Sequence, residues 1–247
     1  SNLGKQRNKG YEFDIAAVLV QNKDWRFSLK LNGSHNKNKI LAISNALAAA
    51  NDEANASSVG KPKVLYKEGQ STTAIYAVKS HGINPMNGKE VFEDLKGNLT
   101  YEWSAANKIV CGDTEPKVSG AFGANADWKG FNINVSFLYQ CGGQVYNQTL
   151  VDRVEDANLS WNVDRRVLKG RWKEPGDHTF FKDIKNRDRT EVSSRFVQDE
   201  NVLQFKSLSF SYSFPTELIQ RWSLERLKLT FQMEDIFRIS NVKRERG

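Results

Sequence analysis

The sequence predicts an all-β fold, an antiparallel transmembrane β-barrel segment with long loops on one side and short turns on the other. Three observations predict it. Long segments alternate apolar and polar side chains with period two, which gives a strand one greasy and one wet face. The connections between them alternate: short at Asn22 to Asp24, very long, short at Lys129-Gly130, very long, short at Pro215 to Arg221. Outer-membrane barrels have that pattern, with short periplasmic turns and long extracellular loops. Finally, Trp25, Trp128 and Trp222 stand beside the three short connections, as an interfacial aromatic girdle requires.

The elements follow in order. Tyr11 to Gln21 sets Tyr11, Phe13, Ile15, Ala17 and Leu19 against Glu12, Asp14, Ala16, Val18 and Val20. After the turn at Asn22-Lys23-Asp24, Trp25, Phe27, Leu29, Leu31 and Gly33 alternate with Arg26, Ser28, Lys30, Asn32 and Ser34. The wet face of this hairpin carries full charges, which are tolerable against a watery lumen and costly inside a two-sheet core. Ile40 to Lys117 reads as a long irregular loop, with a short helix in the Ala- and Asn-rich Leu41 to Ala56 and a short strand at Thr73 to Val78. Turn chemistry fills the rest, at Gly69-Gln70-Ser71, His81 to Pro85 and Asn87-Gly88. Loops of this size usually carry function.

Val118 to Trp128 and Phe131 to Tyr139 form a long hairpin closed by Lys129-Gly130. Phe131 to Cys141 is long enough to cross a membrane as a tilted strand. Gln148 to Arg195 is the second long loop. In Val202 to Phe214 the greasy parity switches between Phe205 and Leu208, so a β-bulge near Lys206-Ser207 is expected. The last visible strand carries Leu227, Leu229, Phe231 and Met233 on one face. Lipid cannot satisfy a backbone amide, so these strands must close with partner strands supplied elsewhere.

Composition narrows the function classes. The chain has 247 residues, 39% hydrophobic, with mean hydropathy −0.60, which suits one large all-β domain or two smaller ones. No apolar run approaches a membrane helix; the longest clear one is Ile15 to Val20. The net charge of +7 is scattered, with denser groups at Lys37 to Lys39, Lys182 to Arg189 and Lys243 to Arg246, and no nucleic-acid recognition motif accompanies them. Cys111 and Cys141 lack metal spacing, and the hairpin register sets Cys141 opposite Val118, which favours two free thiols. His35, His81 and His178 are far apart, so no metal site is expected. Ser1-Asn2-Leu3-Gly4 is no signal peptide, and both ends read as cut from a longer protein.

Certain stretches resemble the C-terminal barrel region of SusC/RagA-type TonB-dependent outer-membrane transporters. They are Asn8 to Glu12; Glu68-Gly69-Gln70-Ser71; Gly82 to Pro85 with Asn87-Gly88; Gly112 to Pro116; Gly142 to Asn147; Arg171-Trp172 with Pro175-Gly176-Asp177; Ser194 to Val197; and Leu208 to Pro215. They fall in family order over almost the whole chain. The resemblance implies late strands of a barrel of roughly twenty-two strands with a plugged lumen. It implies energy from TonB through an N-terminal region absent from 1–247, a SusD-type surface lipoprotein as lid, and oligosaccharides or peptides as substrates. Two departures stand out. Met233 to Phe237 replaces the family's Asn-Leu-Phe-like stretch, and the chain stops before the expected final strand.

The expected function is active import across the cell outer membrane, with no covalent chemistry, no cofactor and outer-membrane lipid around the barrel. Trp103, Trp161 and Trp172 are the substrate-binding candidates, since loop aromatics stack on sugar faces or peptide side chains. Each has a plainer reading as an anchor for its own loop. Asp152, Asp156 and Asp164 lack calcium-loop spacing and read as partners of Arg153, Arg165 and Arg166. Glu90, Glu93 and Asp94 give no evidence of the facing carboxylates of a glycosidase. A soluble cell-surface β-sandwich, either a binding module or a hydrolase, is the alternative from another class; it requires a second sheet over the greasy face. A passive pore or adhesin on a barrel is the third.

Overall fold

The computed structural model describes residues 4–57 and 59–242. Ser1 to Leu3 and Lys243 to Arg246 lie outside the described residues. Six long strands make one antiparallel sheet: β1 (Gly4–Gln21), β2 (Trp25–Ile43), then β8 (Val118–Trp128), β9 (Phe131–Tyr146), β10 (Val197–Ser213) and β11 (Lys228–Ser240). Between β2 and β8 lie α1 (Asn45–Ser57), β3 (Ala74–Val78), β4 (Ser80–Ile83), β5 (Glu90–Glu93), β6 (Leu99–Thr100) and β7 (Lys108–Asp113). β3 pairs with β7, and β4, β5 and β6 form a three-stranded sheet. The stretch expected to be irregular is therefore organised into two small sheets and a helix.

Register carries the greasy parity across the large sheet. Ile15 faces Leu31, Leu31 faces Phe122, Phe122 faces Phe137 and Phe137 faces Phe205. Nearer the turns, Ala126 faces Ile133, Ile133 faces Phe210 and Phe210 faces Phe231. These side chains are not covered by a second sheet: Ile15 is 55% exposed and Phe231 56%. A sandwich would have buried them, so the lipid-facing reading holds. The opposite face is Ser28, Asn32, Asn125, Asn134, Ser136, Ser209 and their neighbours.

Two of the sheet's register shifts fall within the apolar belt and keep that parity. The one expected near Lys206-Ser207 is present, as a register shift between Phe205 and Ser207 against both β9 and β11. The other corrects the sequence reading. A shift between Val18 and Val20 sets Val20 opposite Phe27 on the greasy face, where simple alternation had put it on the wet one.

Small residues let the aromatics lie down. Gly33 and Gly120 face each other; a Cβ on Gly33 would meet the Phe13 ring at 2.6 Å and Tyr139 Oη at 2.7 Å. Tyr139 lies across this gap and donates to Asn32 O at 2.9 Å, restoring the cover that the glycines lack.

The short turns have identifiable chemistry. Asn22 Oδ1 accepts from Asp24 N (3.0 Å) and Trp25 N (2.8 Å). Lys129 (φ 44°) and Gly130 (φ 88°) both take left-handed conformations, as the type I′ hairpin requires. Trp25 and Trp128 face each other and stack at 5.4 Å, and Phe131 continues the belt to Tyr212 at 4.3 Å. Trp222, 61% exposed, sits in a helical turn of the third connection. Both cysteines are free, with Cys141 opposite Val118. No helix among the described residues is long and apolar enough to cross a membrane.

The buried core lies elsewhere, above the sheet at its loop end. Ile75 and Ala77 of β3 pack with Tyr146, Leu150, Val151, Val154, Val167, Phe181, Val192 and Phe196. The first loop and the second thus share one core and form a single outer unit.

Candidate functional site

The outer unit is held together by polar contacts that span both loops. Val78 forms a parallel bridge to Ser193, and Val78 N donates to Val192 O at 3.2 Å. Arg195 is the central tie. Its Nη2 meets Glu90 Oε2 of the first loop at 2.7 Å and Glu155 Oε1 of the second at 2.8 Å. Its Nη1 donates to Phe180 O at 2.6 Å, and its guanidinium lies 4.5 Å from the Phe196 ring centroid. The planar fork serves two carboxylates, a carbonyl and an aromatic face together, which a lysine could not do. Burial raises the Glu155 carboxyl above its ordinary value, against the opposing pull of Arg195.

Arg171 does for the second loop what Arg195 does between loops. It is buried, and its guanidinium donates to the carbonyls of Val154, Glu155, Val167 and Lys182. Long irregular backbone leaves carbonyls without partners, and one arginine with five donors satisfies several.

The three tryptophans have different surroundings. Trp103 is half-buried; its Nε1 donates to Val192 O at 2.9 Å, and Lys108 Nζ lies 5.2 Å from its ring centroid. Trp172, also half-buried, donates from Nε1 to Pro85 O at 2.8 Å and packs over Gly88 (φ 69°), where a Cβ would meet the ring at 2.6 Å. Each of these two links one loop to the other. Trp161 is 75% exposed, with no partner ring among the described residues. The structure does not bring the three rings into one cluster.

The acidic residues are engaged, with one of the expected partners and two others. Asp164 caps the turn at Arg165–Leu168 and holds Arg166 Nε at 3.0 Å, which keeps its carboxyl down at about 2. Asp156 pairs with Lys182 at 2.9 Å, and Asp152 with Lys61 at 3.7 Å. Glu93 contacts Lys79 (2.8 Å) and His81 (2.6 Å), while Asp94 accepts from Lys96 N and Asn98 N within its own turn. With Glu90 committed to Arg195, these three carboxylates do not form a facing pair.

Two hollows adjoin these elements. One, of about 210 Å³, lies between the loops and is lined by Lys89, Glu90, Tyr101, Lys182, Arg189 and Glu191. The other, of about 490 Å³, lies on the wet face of the sheet against Arg26, Lys30, Asn32, Asn125 and Asn134.

A sequence signal for the site did exist. Glu68 to Ser71, Gly112 to Pro116 and Gly142 to Asn147 meet in one knot at the rim. Asn38 Oδ1 accepts from Ser71 Oγ (3.1 Å) and Thr72 N (2.7 Å), Asn38 Nδ2 donates to Glu115 Oε2 (2.5 Å), and Asp113 N donates to Gln144 Oε1 (3.2 Å). These stretches fasten the outer unit to the sheet.

The large sheet with its outer unit is matched in solved structures. The RagAB peptide transporter aligns with 98% of this chain and 26% of its own, at TM-score 0.75 and 19% identity. The chain has the fold of a TonB-dependent transporter barrel wall. The RagAB peptide importer in the "closed-closed" state aligns at TM-score 0.74 and 18% identity, over 98% of this chain and 27% of that one. By sequence, the chain is 27% identical to TonB-dependent receptor P3 of Formosa agariphila over 243 residues, 92% of this chain and 24% of the receptor. It is 21% identical to TonB-dependent receptor P39 of the same organism, over 98% of this chain and 27% of that receptor. No family model matches. The chain spans about a quarter of the length of the curated relatives it matches. Its resemblance to the SusC/RagA type thus rests on sequence and on fold together.

Proposed function

We propose that this chain is part of an outer-membrane importer that draws a large nutrient across the membrane with energy delivered through TonB. Residues 1–247 would be a C-terminal portion of the barrel, with the plug and the TonB-contacting segment in the rest of the longer protein. The observation that carries the reading is the two-faced sheet. One face is apolar and uncovered, the other is lined by Asn, Ser and a few charges, and one end is capped by a folded unit. A wall of this kind separates lipid from a wet lumen and needs no reacting group. The substrate class is oligosaccharide or peptide. RagAB is named a peptide transporter, which favours peptide by likeness alone. Trp161 is the exposed stacking platform, and Trp103 and Trp172 act on substrate indirectly, by fixing the loops that frame the entrance. The outer unit is also the surface for a SusD-type lipoprotein lid.

The test is uptake by cells that carry the full polypeptide, given fluorescent oligosaccharide and peptide pools with and without a protonophore. One pool should accumulate, and the protonophore should abolish its uptake. Uptake that continues without energy would establish a passive pore instead.

A further inference from the structure

The outward parity does not end where its apolar side chains end. On β1 it runs from Phe13 through Tyr11 to Lys9 and Arg7; on β2 it runs from Gly33 through His35 to Lys37 and Lys39. The register sets Tyr11 opposite His35, Lys9 opposite Lys37 and Arg7 opposite Lys39. The Tyr11 and His35 rings lie 5.1 Å apart, and all four cations beyond them are exposed. Among the described residues none of the four has an ion pair or a side-chain hydrogen bond. Like charges directly opposite each other destabilise a sheet, and here two such pairs are stacked. An anion between them turns that repulsion into a clamp.

Their height identifies the anion. Trp25 marks the turn-side interface. Lys37 lies about twelve residues further along β2, and at ~3.4 Å per residue with a ~40° tilt that is a climb of about 31 Å. The apolar belt of such barrels is ~25 Å tall and a bilayer hydrocarbon core ~30 Å thick. The cations therefore stand at the far headgroup level, just beyond an aromatic pair of the kind that marks that interface. The register places all four on the outward parity. On the inner face at the same level Asn36 and Asn38 are neutral and bound to Glu115, at 2.9 and 2.5 Å.

We propose that Arg7, Lys9, Lys37 and Lys39 form a docking site for the phosphorylated headgroup of an outer-leaflet lipid. The site rests on the outer-membrane reading above. Two cation pairs, two residues apart on each strand, embrace a phosphoryl group from both sides, while the acyl chains lie along Phe13, Ile15 and Leu31. Held there, the lipid joins β1 to β2 below the outer unit.

The experiment uses the full polypeptide in neutral detergent micelles. Its barrel is verified first, by heat-modifiable gel mobility and by the need for detergent; a protein that dissolves without detergent refutes the barrel reading, independently of any lipid result. Binding of diphosphorylated lipid A is then compared with its dephosphorylated form by native mass spectrometry. The phosphorylated lipid should bind at least tenfold more tightly, and added salt should weaken it. Lys9→Gln/Lys37→Gln should lose roughly thirtyfold, from ~1 kcal/mol per basic residue near an anionic surface. Without lipid this variant should melt no lower than wild type, because a like-charge pair has been removed. Arg7→Gln/Lys39→Gln is the independent second variant, with the same expected loss. Unchanged affinity in either folded variant, or equal binding of the dephosphorylated lipid, overturns the site. Inorganic phosphate that competes at equal phosphorus overturns the lipid as its occupant.

Discussion

At the scale of single residues, the sheet assigns opposite meanings to neighbours in the chain. Ile133 faces Ala126 and Phe210 on the apolar side, and Asn134 faces Asn125 and Ser209 on the wet side. A cation at Ile133, about 5 Å above the turn-side belt, has lipid around it and no partner, whereas a cation at Asn134 enters the hollow that already holds Lys30 and Arg26. Ile133→Arg should therefore cost about 1–2 kcal/mol of folding stability, between the midplane and interface values, and Asn134→Arg well under half of that. Urea titration of the full barrel in lipid vesicles, read by tryptophan fluorescence, measures both, and equal costs would contradict the lipid-facing assignment. The same scale explains why the tryptophans could not be ranked from sequence. What distinguishes Trp161 from Trp103 and Trp172 is whether a distant carbonyl, Val192 O or Pro85 O, meets the indole N–H. Those partners are set by tertiary packing and leave no local trace.

At the scale of elements, β7 opens with a lysine in an unusual place. Lys108 is 4% exposed, donates to Asn55 O at 3.1 Å and lies over Trp103. Burial, with Lys67 nearby, lowers its pKa from 10.5 to about 8. The sign follows from proton counts. Between pH 8 and 10.5 the unfolded loop binds a proton that the folded loop has released, so stability rises with pH across that window. Below pH 8 the gain is absent, and above 10.5 it is complete. The wild-type outer unit should gain protection from hydrogen exchange, corrected for intrinsic rates, as pH rises through this range. Lys108→Met should show a flat profile, and parallel profiles would refute the assignment.

Elements also show what a sequence can disclose. The Lys206 bulge was readable because the greasy residues change parity around it, from Phe205 to Leu208. The bulge between Val18 and Val20 was not, because Leu19 and Val20 are both apolar and hide the switch. β2 runs to Ile43, past the apparent end of its alternation, because Asn36 to Lys39 are polar on both faces. β4, β5 and β6 are two to four residues long, too short for any period to register.

At the scale of the whole chain, the two long loops behave as one body. Ile75 and Ala77 come from the first loop, Val151, Val154, Val167 and Phe181 from the second, and Arg195 binds a carboxylate from each. The six strands beneath are paired by backbone hydrogen bonds that need neither loop. Two consequences separate here. Deleting 148–194 with a short linker should leave the barrel folded, seen as unchanged heat-modifiable mobility, because every ladder of the large sheet is intact. It should also strip the cover from Ile75 and Ala77 and leave Glu90 without the Glu155 side of its clamp. The first loop should then become sensitive to protease between 59 and 113, where the intact protein resists, and uptake should be abolished. Uptake that survives would place the entrance outside this unit, and a first loop that stays resistant would show that it folds alone. Loss of the barrel itself would mean that the outer unit holds β9 and β10 together, contrary to the independence of the ladders.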